Sequence, residues 1–432
     1  MSEPDPAVLG IARARRRVLV HHPGSNHLAY ELVAGLQAGG YACDFETGFF
    51  YSPGGVLARC LQRLPVSLRR PIERELKRRS HSSVDARRLH LNPFPELVYV
   101  AANRLGITGE RLAQIVGWRN DMIDARVARR VRRERPDFVV GHDGSALYAG
   151  RAAHEVGAIA VLNQVVGHVE AALDLFAEEA KRAPEFAETM GRLPASIVAR
   201  HRAEIAEAER ILVPSDYVRQ TLVARGADPG RIAVLPYGVD VTRFRPGSSG
   251  APRPFRLLFV GSLSQRKGIK YLLEAMRRLA LPDVELVLAG RMVGSAEAFR
   301  PYEGRFRHVA HVPYHEVHAL YRDADVFVYP SLHEGSAFAT YEALASGLPV
   351  VTTANSGSVV RDGEEGFLVP TRDVDAIAER ILRLYRDPDL RRTMGEKARR
   401  RAEEFNWAQY RRRLNALFDG WAAGRPQKNP SS

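Results

Sequence analysis

Short apolar runs alternate with segments of helical periodicity along the whole chain. We predict strands at residues 17–20, 41–45, 137–141, 159–162, 210–213, 232–235, 256–260, 285–289, 308–312, 326–329, 350–353 and 367–369. Between two of these strands, apolar residues from Ile269 to Leu279 recur at the spacing that buries one face of a helix. Continuous apolar strands joined by helical crossovers predict parallel sheets covered by helices on both faces.

The strands form two series of six, separated by a segment with the composition of a linker. Residues 245–252 (RPGSSGAP) are rich in Pro, Gly and Ser. With 432 residues the chain also exceeds the usual size of a single core. We therefore predict the fold class as α/β, with two doubly wound parallel-sheet domains that meet near Arg243.

Two glutamates in the second series have an informative spacing. Glu334 and Glu342 stand eight residues apart, and a glycine-cornered turn, Gly261–Gly268 (GSLSQRKG), lies about seventy positions upstream. We predict Glu334 at a strand end and Glu342 about two turns into the next helix, which is expected to begin at the step from Gly335 to Ser336. The free N–H groups at that helix start favour a phosphate. An anionic ligand with hydroxyls at both ends, such as a nucleotide sugar, fits this layout.

The turn at 261–268 also carries two adjacent cations. Arg266 offers a planar guanidinium for phosphate oxygens, and Lys267 offers a compact positive charge. Both could instead be ordinary surface residues of a helix start. Cations at a helix N-terminus oppose the dipole, however, so their position there favours a bound anion.

The charge of the chain is strongly positive and unevenly spread. Its formal net charge is +13, and ten Lys or Arg against three acids lie between Arg59 and Arg88. Such a segment attracts phospholipid headgroups, nucleic acid or acidic substrates, or is simply a solvated helix face. No interleaving of basic and aromatic residues typical of a nucleic-acid module accompanies it, so we expect no nucleic-acid partner.

Cysteine content and hydropathy bear on the cellular setting. Cys43 and Cys60 are too few for a disulfide framework and lack metal-ligand spacing. No run approaches the ~18 apolar residues of a membrane helix, and the arginines from Arg13 to Arg17 replace the apolar core of a secretion signal. These features predict a cytoplasmic protein, either free or peripheral on the inner face of the membrane.

Together, the motifs resemble those of the retaining GT-B glycosyltransferases of family four (glycosyl transferases group 1). The matching tracts are 213–217 (VPSDY), 235–240 (LPYGVD), 261–268, 334–351, 362–370 and 405–407 (FNW). The likeness is strong over 210–418 and weaker before that. It implies an acceptor-binding first domain at 1–242, a nucleotide-sugar-binding second domain at 243–407, and a last helix and tail, 408–432, that cross back to the first domain.

The resemblance also implies roles for single residues. Arg266 and Lys267 would hold the donor diphosphate. Glu334 would contact the transferred sugar and Glu342 the ribose, and backbone N–H groups of the next helix would complete the diphosphate cradle. The implied catalytic residues are Glu334, Lys267 and Arg266. The implied donor-binding residues are Gly24, Gly261, Arg266, Lys267, Val312, Glu334, Gly335, Ser336, Ala337, Phe338 and Glu342. No cofactor or metal is expected, because fixed cations and helix dipoles can neutralise the leaving diphosphate.

Two departures from the family pattern leave alternatives open. Ser262 stands where the family often has an Arg, so Arg266 is expected to take over that contact. The family commonly has a His after the fourth strand, where this chain has Asn163 and Gln164, with His168 further on. The candidates for acceptor or sugar contacts are therefore His22, His142, Asn163, Gln164 and His168.

The expected reaction is transfer of a hexose, with retention, from a nucleotide diphosphate sugar to an acceptor hydroxyl. Closure of the domains about residues 240–252 would exclude water. The acceptor is a glycan, a lipid-linked glycan or a small molecule, and residues 57–88 either contact an anionic membrane surface or form a cleft wall. The alternatives are a nucleotide-sugar epimerase on the same scaffold and a non-catalytic sugar-nucleotide-binding protein.

Overall fold

The computed structural model describes residues 16–24, 26–77, 79–191, 193–247 and 253–424. The sequence predictions at Arg13 and Arg15, at 248–252 of the linker and at 425–432 of the tail lie outside these residues. Within the described ranges the chain forms two parallel sheets, of seven and six strands. The prediction of two doubly wound α/β domains is confirmed.

The first sheet has the strand order β3-β2-β1-β4-β5-β6-β7. Its strands are β1 (Arg17–His22), β2 (Ala42–Thr47), β3 (Leu89–Leu91), β4 (Phe138–His142), β5 (Ile159–Asn163), β6 (Arg210–Val213) and β7 (Ile232–Val234). Its helices are α1 (His27–Ala38), α2 (Val56–Leu61), α3 (Val66–Lys77), α4 (Pro93–Arg104), α5 (Gly109–Glu134), α6 (Leu147–Glu155), α7 (Val169–Arg182), α8 (Ala195–Glu207) and α9 (Asp216–Val223).

The second sheet has the order β10-β9-β8-β11-β12-β13. Its strands are β8 (Phe255–Val260), β9 (Val284–Ala289), β10 (Arg307–Val309), β11 (Val326–Tyr329), β12 (Val350–Thr352) and β13 (Gly366–Leu368). The remaining helices are α10 (Ile269–Leu279), α11 (Val317–Arg322), α12 (Phe338–Ala345), α13 (Val374–Arg386), α14 (Pro388–Glu404) and α15 (Trp407–Ala423).

All twelve predicted strands are present, most with ends shifted by one or two residues. The largest difference is at β10, which ends at Val309 and leaves Val312 in the following loop. The sequence analysis missed β3, because Leu-His-Leu is too short to register as an apolar run. In α10, Ile269, Leu272 and Leu273 are fully buried, as their spacing predicted.

The last helix crosses back to the first domain. Phe418 of α15 packs against Phe138 of β4, with ring centroids 5.0 Å apart. The side-chain amide of Asn415 donates to the carbonyl oxygen of Gly35 in α1 at 3.1 Å. The helix begins at Trp407, because the side chain of Asn406 caps it by accepting the N–H of Gln409.

Among the described residues, no helix combines the length and apolar character needed to cross a bilayer.

Candidate active site

The turn at 261–268 lies at the carboxyl end of β8, the edge where open α/β sheets bind their ligands. Residues 265–267 form a single turn of 3₁₀ helix, and Gly268 follows with φ of 71°. A Cβ on Gly268 would lie 2.0 Å from the carbonyl oxygen of Pro330, so only glycine fits there. The N–H of Leu332 donates to the carbonyl oxygen of Arg266 at 2.9 Å. These contacts hold both cations against the end of β11.

Arg266 and Lys267 converge on one carboxylate oxygen. Nη1 of Arg266 lies 2.9 Å from Oε1 of Glu334, and Nζ of Lys267 contacts the same oxygen and the hydroxyl of Tyr329. Burial alone would raise the pKa of Glu334, but the two cations hold it below its usual range. Two positive charges face one negative charge, so the cluster keeps an excess positive charge for an anion.

Glu342 occupies a different environment at the other end of the site. It is the fifth residue of α12, slightly more than one turn into the helix rather than two, because the helix begins at Phe338. The hydroxyl of Tyr321 donates to its Oε2 at 2.7 Å. Burial raises the pKa of Glu342 to about 7, despite the hydrogen bond from Tyr321 and the charge of Arg243. This carboxyl group would be held ionised by further hydroxyl donors.

The start of α12 corrects one detail of the predicted phosphate cradle. The N–H of Ala337 donates to the carbonyl oxygen of Ser356 at 3.0 Å, so it is already committed. The hydroxyl of Ser336 is likewise used within the fold, bonding Tyr341 and the carbonyl oxygen of Gly357. The backbone N–H groups of Ser336 and Phe338 remain as the candidate donors to a ligand.

An open cavity of about 570 Å³ connects the two ends of the site. Nine of the eleven predicted donor-binding residues line it: Gly261, Arg266, Lys267, Val312, Glu334, Ser336, Ala337, Phe338 and Glu342. Gly335 instead packs under the loop after β5, where a Cβ would lie 1.6 Å from the carbonyl oxygen of Val165. Gly24 lies in the first domain beside Glu96 and Arg119 and does not line the cavity.

Two of the predicted acceptor-side histidines lie together at the ends of β1 and β4. The rings of His22 and His142 have centroids 4.9 Å apart, and Nδ1 of His142 is 3.0 Å from the carbonyl oxygen of His21. Burial lowers the pKa of His142 to about 4 and brings that of His22 well below its usual value. Both rings are therefore neutral at physiological pH. The two nitrogens of His22 contact Gly24 and Asn26, whereas Nε2 of His142 has no hydrogen-bond partner among the described residues.

The three rival residues after β5 differ in what they contact. His168 is the N-cap of α7, where its Nδ1 accepts the N–H of Glu170 at 3.2 Å. The side chain of Gln164 donates to the carbonyl oxygen of Val166 at 2.9 Å, and Asn163 is the last residue of β5. A Cβ on Gly167 would lie 2.5 Å from the ring of His333, so this loop reaches the residue before Glu334. Nδ1 of His168 is thus committed to the helix cap, whereas Oε1 of Gln164 has no hydrogen-bond partner among the described residues.

Several residues of the site were missed by the sequence analysis. The hydroxyl of Tyr329 donates to Glu334, and that of Tyr321 donates to Glu342. In the sequence both tyrosines resemble aromatic residues of the hydrophobic core. Tyr237 of the first domain stacks on Phe338 with centroids 4.9 Å apart. Burial raises the pKa of Asp143 to about 7. Asp143 directly follows β4, so the same strand-end position that pointed to Glu334 could have identified it.

One cluster of metal-ligating side chains occurs among the described residues, outside the cavity: His27, Glu31 and His81. Arg411 of α15 holds Oε2 of Glu31 at 2.9 Å, and Nε2 of His81 lies 3.0 Å from Oε1. Since the N–H of Ser83 donates to Nδ1 of His81, the proton of that ring lies on Nε2 and points at Glu31. The arrangement is an ion-pair network that ties α1 to the last helix.

Two doubly wound domains, with polar side chains gathered at facing strand ends and a last helix returning to the first domain, define the GT-B class of fold. The family model "Glycosyl transferases group 1" matches residues 241–401, and "Glycosyltransferase Family 4" matches residues 116–243. The two matches meet at residues 241–243 and together span the second half of the first domain and most of the second. The chain belongs to the family-four glycosyltransferases.

Curated relatives agree with this assignment. WcaL of Salmonella typhimurium, which is named as a colanic acid biosynthesis glycosyltransferase, is 35% identical over 228 residues. The match covers 47% of this chain and 55% of the relative. The D-inositol 3-phosphate glycosyltransferase of Corynebacterium kroppenstedtii is 32% identical over 244 residues, covering 50% and 54%. The chain thus spans about half the length of these curated relatives.

Among solved structures, Anabaena Alr3699/HepE in complex with UDP and glucose matches with a TM-score of 0.59 at 13% identity. The match covers 94% of this chain and 100% of that chain. At this identity the likeness concerns the fold alone.

Proposed function

We propose that the protein is a glycosyltransferase that moves a hexose from a nucleotide diphosphate sugar to an acceptor hydroxyl, with retention and without a metal. The observation that carries this proposal is the placement of Arg266, Lys267 and Glu334 at one end of a single cavity and Glu342 at the other. The solved HepE complex, a fold relative, has UDP and glucose bound, in agreement with this donor class.

The chemistry follows from the charges around the cavity. An incoming diphosphate meets the excess positive charge of Arg266 and Lys267, which would also stabilise the charge that develops as the diphosphate leaves. Glu334 accepts hydrogen bonds from the sugar, and Glu342 accepts them from the ribose. A leaving phosphate oxygen on the same face can take the proton of the acceptor hydroxyl, so no dedicated base is required.

A panel of nucleotide sugars tests the donor class. The purified chain is melted with the UDP, GDP, ADP and CDP forms of common hexoses, and one nucleotide series is expected to raise the melting temperature. A ligand at one hundred times its Kd stabilises the native state by about 2.7 kcal/mol. The Lys267→Ala variant serves as the control and should lose this shift. If no nucleotide sugar stabilises the wild type, the proposed function is wrong.

The same samples discriminate against an epimerase. An epimerase would convert the donor sugar without any acceptor, and this conversion is visible by NMR of the donor alone. We expect no change of the sugar under these conditions. Appearance of a new sugar epimer would favour a nucleotide-sugar epimerase over a glycosyltransferase.

We further propose that residues 57–88 rest on an anionic membrane surface and bring the site to a lipid-linked acceptor. Helix α3 presents exposed apolar side chains at Val66, Leu68 and Ile72, and Leu68 is 59% exposed. Arg69 and Arg70 lie on the same short helix. An amphipathic helix with exposed apolar and cationic residues is typical of a membrane interface. These exposed apolar side chains favour a membrane surface over a cleft wall.

Co-sedimentation with phosphatidylglycerol vesicles tests the membrane contact. The wild type is expected to pellet at low salt. Leu68→Asp should weaken binding roughly tenfold, because an apolar side chain that would insert into the lipid is replaced by a charge that the anionic surface repels. Leu105→Asp alters another exposed leucine, outside this segment, and should bind like the wild type. Absence of wild-type binding to anionic vesicles would remove the membrane proposal without affecting the donor site.

A further inference from the structure

Helix α7 of the first domain carries a buried carboxylate that is bound by the second domain. Glu179 is 0% exposed. Its Oε2 accepts hydrogen bonds from the side-chain amide of Gln265 at 2.8 Å and from the hydroxyl of Tyr271 at 2.9 Å. Its Oε1 accepts one from Nε of Arg372 at 2.5 Å. All three donors belong to the second domain, so this carboxylate joins the two domains across their interface.

The segment after α7 makes a second set of contacts with the same region. The backbone N–H of Gln265 donates to Oγ1 of Thr189 at 2.8 Å. Lys270 pairs with Glu185 at 2.7 Å. Gln265, itself fully buried, is therefore held by the first domain through both its side chain and its main chain.

The backbone of Arg372, one of the partners of Glu179, is strained. Arg372 has a φ of 71°, a left-handed conformation that a residue other than glycine rarely adopts. Such strain persists only where the surroundings fix it, and here Arg372 is bound by Glu179 and, on its exposed side, by Glu178 at 2.9 Å.

The bond between Glu179 and Gln265 acts on the turn that carries the two cations. Gln265 opens the single turn that continues into Arg266 and Lys267. The other side of this turn is fixed by the bond from Leu332 to Arg266. Cations that are already in place cost little reorganisation when charge arrives, so the partners of Gln265 bear on how well the turn binds phosphate.

We propose that Glu179 is a positioning residue: from the first domain, it fixes the turn that places Arg266 and Lys267, and so sets the affinity of the second domain for a diphosphate. The inference rests on the proposed function for the identity of that ligand. If Glu179 has this role, the first domain affects donor binding through helix α7, which does not line the donor cavity.

Calorimetric titration with paired probes tests the inference. UDP, GDP, ADP and CDP are each titrated beside uridine, guanosine, adenosine and cytidine. For the pair that the wild type binds, Glu179→Gln should weaken diphosphate binding about tenfold, the range expected when a hydrogen bond to a charged group is lost. Nucleoside binding should stay unchanged. Glu178→Gln, which removes the exposed partner of Arg372 only, should match the wild type for both probes.

Gln265→Met provides a second variant, because it removes the side-chain bond between the turn and Glu179 and leaves Glu179 paired with Tyr271 and Arg372. It should show the same selective loss, whether or not Glu179→Gln folds. Unchanged diphosphate affinity, or an equal fall for diphosphate and nucleoside, would overturn the positioning role alone. A wild type that binds none of the diphosphates would overturn the proposed function as well.

Discussion

Replacing Lys267 with alanine is expected to lower sugar transfer by about a hundredfold to a thousandfold while the protein stays folded. The ammonium group of Lys267 reaches Glu334 and Tyr329 beside the proposed diphosphate position. Removing a fixed electrostatic contact to a developing charge costs about 3–4 kcal/mol of transition-state stabilisation in comparable sites. Turnover is measured with the donor identified by the melting panel, and folding by circular dichroism.

The control for this variant is Lys397→Ala. Lys397 also lies in the second domain, but it pairs with Glu364 on the surface, away from the cavity. It should leave turnover within about twofold of the wild type, because an exposed ion pair contributes little. Wild-type turnover in Lys267→Ala would mean that the turn at 261–268 does not hold the leaving diphosphate.

Local pattern was sufficient for twelve of the thirteen strands of the described residues and for the position of Glu334. Strands such as β4 and β11 are mostly continuous runs of buried apolar residues, so they can be recognised in the sequence without knowledge of the neighbouring strand. Glu334 could be placed because it follows β11, and parallel strands present their carboxyl ends to a ligand. The short strand β3 escaped because its pairing with β2, and not its own composition, makes it a strand.

The parts that could not be predicted depend on contacts between distant segments. Glu179 lies 86 residues from Gln265 and 193 from Arg372 along the chain. As a sequence position, Glu179 looks like one more acid in an acidic helix. Its burial follows only from the orientation of the two domains, which local periodicity does not specify.

The same limit explains the open choice among the residues after β5. Sequence spacing offered Asn163, Gln164 and His168 equally. In the structure His168 caps α7, a local role that its position before an acidic helix turn favours. The loop between them touches His333, and this contact depends on how the domains meet. The contacts of the folded chain, and not the residue type, separate the three.

Glu342→Gln is expected to make the protein more stable than the wild type at pH 8 and equally stable near pH 4. Burial raises the pKa of Glu342 from 4.5 to about 7, so between these values the unfolded chain releases its proton first and stability falls as pH rises. Above pH 7 the cost is constant, on the order of 3 kcal/mol. Glutamine carries no proton to lose and can still accept the bond from Tyr321.

Urea unfolding of both proteins at pH 4, 6 and 8 measures this difference, since titration of every other group cancels between them. The wild type bears the cost of a buried carboxylate because, under the proposed function, ribose hydroxyls bind the ionised form. The stabilised variant should therefore bind the nucleotide more weakly at pH 8. A variant no more stable than the wild type at pH 8 would show that the pKa of Glu342 is not raised in the folded protein.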